Sequence, residues 1–289
     1  MAESPRPVWL TIDGFEPSAS LERFLVEARP FGILLFARHL KSEAQARELN
    51  AWMHSLLPGI LVALDQEGGR VSRLKAIGYD FPGASELGAL PGRAKVLGEE
   101  MGAALAGLGF DVDFAPVADL GPAEPGTGLE GRTFSDDPSS VAECCGAFLE
   151  GLSKSGIKGC LKHFPGLGGS RCDSHQSLPH IEGGPEERHS HIAPYQVLAP
   201  MAPFVMMAHG RYDIFEDQSP SSLNPEAYSL LDELGFSGLS ITDDLCMGAV
   251  ASEGNLTERV QRALNAGADI ALWVSREDDS LAVCSSIAK

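Results

Sequence analysis

The sequence predicts an α/β protein built as a single (β/α)8 TIM-type barrel over residues 1–289. Three observations carry that prediction. Eight short apolar runs rich in β-branched residues recur along the chain, helical patterning separates them, and most of the runs end in polar residues. Near-continuous apolar strands mean that both faces of the sheet are covered, as in parallel sheets. Strands alternating with helices suit either a barrel or an open doubly wound sheet, and eight repeats favour the barrel. A chain of 289 residues fits two average domains or one barrel of roughly 250 residues.

In chain order, residues 8–12 end at Asp13-Gly14, residues 32–36 at Arg38-His39, and residues 60–64 at Asp65. Residues 112–117 end at Asp119, residues 157–161 at Lys162-His163, residues 204–207 at His209, and residues 239–242 at Asp243-Asp244. The eighth run is 270–274. Between them, Ser42-x-x-Gln45 reads as a capping box opening a helix to about Leu57. Leu97, Met101, Leu105 and Leu108 hold one apolar face by steps of four, four and three. Residues 141–152 and 226–234 behave similarly. Leu256, Val260, Ala263 and Leu264 mark a last helix that stops at Gly267. Two long connections, residues 67–91 and 164–203, follow strand ends, where barrel enzymes keep functional loops.

Composition narrows the function. The chain is 44% hydrophobic and 21% charged, ordinary for a protein with a large core. A net charge of −18 argues against nucleic acid or an anionic membrane as partner, since both need a basic footprint. The six cysteines form no CxxC pair, the usage of a reducing compartment. The start, MAESPRPVWL, lacks the basic and apolar regions of a signal peptide. No apolar stretch of about 18 residues suggests a membrane span. The expectation is a cytoplasmic monomer.

In a closed barrel the C-terminal strand ends converge on one face. Asp65, Asp119, Lys162, His163, His209 and Asp243 would then ring one pocket. The densest stretch is 162–175, KHFPGLGGSRCDSH. Asp243 at a barrel mouth can be a nucleophile, a base or a metal ligand. A retaining glycosidase needs an attacking carboxylate and a second group to protonate the leaving oxygen. His175, with Asp173 two residues earlier, could be that second group, an imidazole oriented by a carboxylate. Taken alone, Asp173-Ser174-His175 is equally an Asx turn. Asp65 and Arg132 suit sugar hydroxyls, although Arg132 could instead form a structural ion pair. His163, Cys172, Asp173 and His175 could each bind zinc, but their spacing matches no compact zinc motif.

Six motifs carry a resemblance. They are LDQEGGRVSRL (64–74), FAPVADL (114–120), GRTFSDDP (131–138), KHFPGLGGSRCDSH (162–175), MMAHGRYD (206–213) and SSLNPEAYSLLDELGFSGLSITDDLCM (221–247). Together they closely resemble family-3 glycoside hydrolases, in the form of the bacterial cytoplasmic β-N-acetylglucosaminidases of peptidoglycan recycling. The resemblance spans nearly the whole chain in the same order. It implies a (β/α)8 barrel and a retaining exo-hydrolase without metal or cofactor. It places the nucleophile on Asp243, the acid/base on His175 with Asp173 as dyad partner, and sugar contacts on Asp65, Arg132, Lys162 and His163. Asp119 and His209 match motif positions without an assigned role. The implied substrate is a terminal β-linked GlcNAc on muramoyl or anhydro-muramoyl peptides.

The chain also departs from the family. Leu167 and Gly169 stand where a His and an Asp are usual, and Thr242 where Ser is usual. A phosphorylase or a β-glucosidase on the same scaffold, and a non-catalytic sugar-binding sensor, remain alternative readings.

Overall fold

The computed structural model describes residues 4–123, 125–183 and 185–287. Eight parallel strands follow one another in the order of the chain: β1 (Arg6–Leu10), β2 (Pro30–Leu35), β3 (Leu61–Leu64), β4 (Val112–Asp113), β5 (Lys158–Phe164), β6 (Phe204–Met207), β7 (Leu239–Thr242) and β8 (Ala271–Leu272). β1 pairs with both β2 and β8. Between β7 and β8 the Ile270 N–H donates to Ser240 O at 3.0 Å and the Thr242 N–H to Ile270 O at 3.1 Å, which completes the ring. Each strand is followed by a helix: α1 (Ala19–Ala28), α2 (Glu43–Leu56), α3 (Pro91–Gly107), α4 (Pro138–Ser153), α5 (Pro185–Leu198), α6 (Pro225–Glu233), α7 (Leu256–Ala266) and α8 (Glu277–Ile287). This is the (β/α)8 barrel that the alternation of runs predicts.

The pleat divides the apolar residues between two cores. Val8, Leu10, Ile33, Leu35, Val62 and Leu64 point outward onto the helices. Trp9, Leu34, Ala63, Phe114, Cys160, Met206 and Leu272 fill the barrel interior. Successive strand residues face opposite sides, so a continuous apolar run serves both cores at once. The fully buried Trp9 indole lies edge-on to Phe114 and Phe204, with centroids 5.1 and 5.9 Å apart. Gly32 makes room for it, since a Cβ there would fall 2.5 Å from the ring.

Local signals set the helix ends. The hydroxyls of Ser18 and Ser42 accept the N–H of Leu21 and Gln45. Asp137 and Asn224 cap α4 and α6, each ahead of a proline in the first turn, where the missing N–H costs nothing. Asn255 and Glu258 form a reciprocal capping box at α7. Gly267 ends that helix at φ 125°. α3 and α4 meet backbone to backbone, because Gly98 and Gly151 present no Cβ where one would lie 2.4 Å from a facing carbonyl.

Two expectations are corrected. The fourth run pairs as a regular strand only at Val112–Asp113. Pro116 lacks an N–H, although its carbonyl and that of Ala115 still accept from Lys162 and Cys160 of β5. The connection 164–203 is not all loop, since α5 occupies its second half despite Pro194. Among the described residues no helix is long and apolar enough to cross a membrane.

Candidate active site

The C-terminal strand ends surround one cavity of about 250 Å³. Its wall includes Asp65, Arg132, Lys162, His163, Asp173, His175 and Asp243, whereas Asp119 and His209, expected in the same ring, do not line it but stand behind it.

The β3 end builds the polar floor. After Asp65 the chain turns into a hairpin in which Gln66–Gly68 pairs with Val71–Ser72. The Gln66 side chain staples it, donating to Ser72 Oγ and accepting from the Leu74 N–H, both at 2.9 Å. Glu67 is thereby buried, 5% exposed in its side chain, between two cations. Arg132 donates to it through Nε and Nη2 at 2.7 and 2.8 Å, and Lys162 Nζ lies 2.6 Å away. Lys162 also donates to Asp65 at 3.0 Å. Burial raises the Glu67 carboxyl, but Arg132 and Lys162 outweigh it and hold it well below the usual carboxylate range. Burial lowers Lys162, and Asp65 and Glu67 more than reverse this, so it stays charged. Arg132 is therefore a structural ion-pair partner and a cavity wall at once. Glu67 has no signal of its own in the sequence. It is one acid in a Gly-rich turn, and only the facing of β3, β5 and the 131–138 loop reveals it.

Asp119 positions the β5 end. Its Oδ2 accepts from His163 Nδ1 at 2.7 Å, and its Oδ1 from the backbone N–H groups of His163 and Leu167 at 3.3 and 2.7 Å. That leaves Nε2 of His163 to act on a ligand. Burial raises Asp119, but His163 and these N–H groups bring it below its ordinary value. The altered segment 165–170 packs closely. Leu167 is buried, and a Cβ on Gly166 or Gly168 would fall 2.9 or 2.6 Å from His191 of α5.

Asp173 and His175 do meet. Asp173 Oδ1 accepts both the backbone N–H of His175 at 2.9 Å and its Nδ1 at 2.7 Å. The Asx turn and the dyad are thus the same object. The His175 side chain is 65% exposed, its Nε2 left for proton transfer. Three contacts hold this loop over the cavity. The Gly248 N–H donates to His175 O and the Ala249 N–H to Ser174 O, both at 3.1 Å. Gly128, at φ 82°, lets the neighbouring loop approach Asp173 to where a Cβ would lie 3.0 Å from Oδ1. Arg132 Nη1 donates to the Gly128 carbonyl at 2.9 Å.

Asp243 ends β7. Burial raises its carboxyl. The imidazoles of His209 and His163 and the 2.8 Å hydrogen bond from the Asp244 N–H bring it below its ordinary value. His209 is fully buried, and burial lowers it. Its Nε2 meets the Asp244 carbonyl at 2.9 Å and its Nδ1 the Ser222 hydroxyl at 2.7 Å. A carbonyl only accepts, so Nε2 carries the hydrogen. His209 therefore anchors the backbone that carries Asp243. Asp244 ties this loop to β8, its Oδ1 accepting from the Cys246 and Val274 N–H groups at 2.9 Å.

Burial pushes the Asp244 carboxyl up to about 6. A raised carboxyl stabilises the fold fully only below its unfolded value of 3.8, and the contribution is lost as pH rises through 6. Wild type should lose thermal stability between about pH 4 and 7 relative to Asp244→Asn, as measured by thermal midpoints. Parallel curves would show that Asp244 titrates normally.

The cavity thus combines an ionised, half-buried carboxylate, an imidazole with a carboxylate partner, and a charged polar floor. Among the described residues, no cluster of three or more His, Cys, Asp or Glu is placed to hold a metal ion.

Known proteins show the same organisation. A family model described as the glycosyl hydrolase family 3 N terminal domain matches residues 10–288. A β-hexosaminidase of Thioalkalivibrio sulfidiphilus is 32% identical over 295 aligned residues, covering 97% of this chain and 84% of that protein. The crystal structure of NagZ from Neisseria gonorrhoeae in complex with N-trifluoroacetyl-D-glucosamine superposes with a TM-score of 0.89 at 30% identity, over 99% of this chain and 86% of that one. A family 3 β-N-acetylglucosaminidase from Paenibacillus sp. str. FPU-7 gives 0.91 at 27% identity, and this chain spans 56% of its length. With a family match running over nearly the whole barrel and its cavity, the chain belongs to glycosyl hydrolase family 3 and is a glycoside hydrolase.

Proposed function

We propose that the protein is a retaining exo-β-N-acetylglucosaminidase that removes terminal GlcNAc from peptidoglycan-derived muropeptides. The observation that carries the reading is the pairing of a half-buried, ionised Asp243 with an Asp173–His175 dyad on the wall of one cavity. Asp243 attacks the anomeric carbon while His175, protonated, gives its proton to the glycosidic oxygen. The aglycone leaves and a glycosyl ester forms on Asp243. His175 then takes a proton from water, which attacks the ester and frees GlcNAc and Asp243. Asp173 orients the imidazole in both steps. Asp65, Arg132, Lys162 and His163 hold the non-reducing sugar. Glu67 keeps two of those cations in place.

The relatives named as β-hexosaminidases and β-N-acetylglucosaminidases support the sugar. Six free cysteines, four of them buried, suit a cytoplasmic site of action. The unit is taken as a monomeric single domain.

Hydrolysis of 4-nitrophenyl β-GlcNAc and β-glucoside tests the reading, for wild type and His175→Ala. Selective GlcNAc release is expected, with kcat falling about 10²–10⁴-fold in the variant. A preference for glucoside would discard the substrate. Unchanged kcat in His175→Ala would discard the dyad. Activity appearing only with added inorganic phosphate would make the protein a phosphorylase.

A further inference from the structure

Asp113 is a buried acid that no step of the mechanism uses. It ends β4, and the regular β3–β4 pairing stops at Leu64–Asp113. Two residues further along β3, the Gln66 N–H donates to a side chain, Asp113 Oδ1, at 2.9 Å. Gln66 is itself fully buried, and its own side chain staples the hairpin at Ser72 and Leu74. On either side of it stand Asp65 and Glu67, which hold Lys162 Nζ at 3.0 and 2.6 Å. The direction in which both acids leave the strand is therefore set where Gln66 is held. Asp113 also differs from its neighbours in charge. It is wholly buried, and among the described residues its Oδ2 has no hydrogen-bond partner. The cation acting on it, Lys162, is already shared by Asp65 and Glu67, and both of these repel a further negative charge. Burial pushes the Asp113 carboxyl well above the usual carboxylate range, although the Gln66 N–H and Lys162 oppose this.

We propose that Asp113 is a positioning residue for the sugar-binding floor, holding the Gln66 N–H so that Asp65 and Glu67 stay aimed at Lys162. It touches no substrate, since it does not line the cavity. The role rests on the β-N-acetylglucosaminidase reading and deepens it, because Asp65 and Lys162 are among the groups proposed to hold the sugar. The task needs an acceptor and no charge. A neutral carboxyl accepts through its carbonyl oxygen, as an amide does, and it leaves Lys162 to the two floor acids. An ionised Asp113 would be a third anion beside one buried cation, with nothing to offset its desolvation.

Two variants and one spectrum test the role. Asp113→Asn keeps the accepting oxygen, so KM on 4-nitrophenyl β-GlcNAc should stay within about threefold of wild type. Asp113→Leu removes the acceptor, and KM should rise about tenfold while kcat stays within about threefold. A residue that only stabilised the fold would neither split the two constants in this way nor be rescued by the amide. The infrared difference between wild type and Asp113→Asn at neutral pH should contain the C=O stretch of a protonated carboxyl, and this measurement needs only the conservative variant to fold. An unchanged KM in Asp113→Leu would overturn the proposal, as would an Asp113→Asn that loses as much as Asp113→Leu. A difference spectrum containing only an ionised carboxylate would overturn it as well, because the role asks for a neutral acid. In each case release of 4-nitrophenol by wild type would leave the hydrolase reading standing. If wild type releases none, the hydrolase reading falls and this role falls with it.

Discussion

Asp243→Ala is expected to lower kcat on 4-nitrophenyl β-GlcNAc by at least about four orders of magnitude, as removal of a covalent nucleophile does elsewhere. The physical basis is the state of the carboxylate. Its partial burial raises it, and a neutral acid does not attack carbon. His209, His163 and the Asp244 N–H together keep it ionised. Removing it leaves His175 able to protonate the leaving oxygen with nothing on the far face of the sugar to trap the developing cation. The loss should appear in kcat rather than in KM, because Asp243 matters most in the transition state. Added azide should then restore part of the turnover and release a glycosyl azide of inverted configuration. Activity within tenfold of wild type would remove Asp243 as nucleophile. A loss that azide does not relieve, in a protein that melts well below wild type, would point to a structural role.

Glu67→Leu should cost on the order of 3–5 kcal/mol, because it strips the counter-charge from two buried cations. The side chains of Arg132 and Lys162 are only 10% and 3% exposed. Without Glu67, Lys162 keeps its bond to Asp65 at 3.0 Å, whereas Arg132 keeps the neutral Gly128 carbonyl at 2.9 Å. For a chain of this size the thermal midpoint should fall by roughly 10 °C. Glu67→Gln should lose less, since an amide oxygen can still accept from Arg132. The same network makes stability depend on pH. The folded Glu67 carboxyl lies below its unfolded value of 4.5, so its contribution is present above about pH 4.5 and is lost as pH falls below that. Residual Glu67→Leu enzyme should also show a raised KM, because Arg132 and Lys162 are proposed to hold the sugar. A midpoint within about 2 °C of wild type would show that the cations find other partners.

Much of this was legible in the sequence. Strand and helix periodicity is local, so eight apolar runs and their intervening helices could be read directly, as could the Ser42 and Gly267 boundaries. The polar residues closing the strands could be read as one ring because a barrel brings its strand ends together whatever lies between them. The dyad was half legible, since Asp173 and His175 are two residues apart and any Asx turn places them close. Regular pairing in the fourth run was misjudged, because Pro116 limits its ladder and apolar character does not register a missing donor. The helix within 164–203 was overlooked because Pro194 and a polar composition hide its period.

By itself, then, the sequence determined the fold class, the family and the residue types available for chemistry. It did so through short-range periodicity and motif order. The tertiary structure alone decided how those residues are employed. Glu67 became the hub of an ion network, Asp119 the positioner of His163, and His209 an anchor for the Asp243 loop. Each of those roles depends on burial and on a partner at least 35 residues away in the chain. Charge state and hydrogen-bond partnership are properties of the space between elements, and no local pattern encodes them.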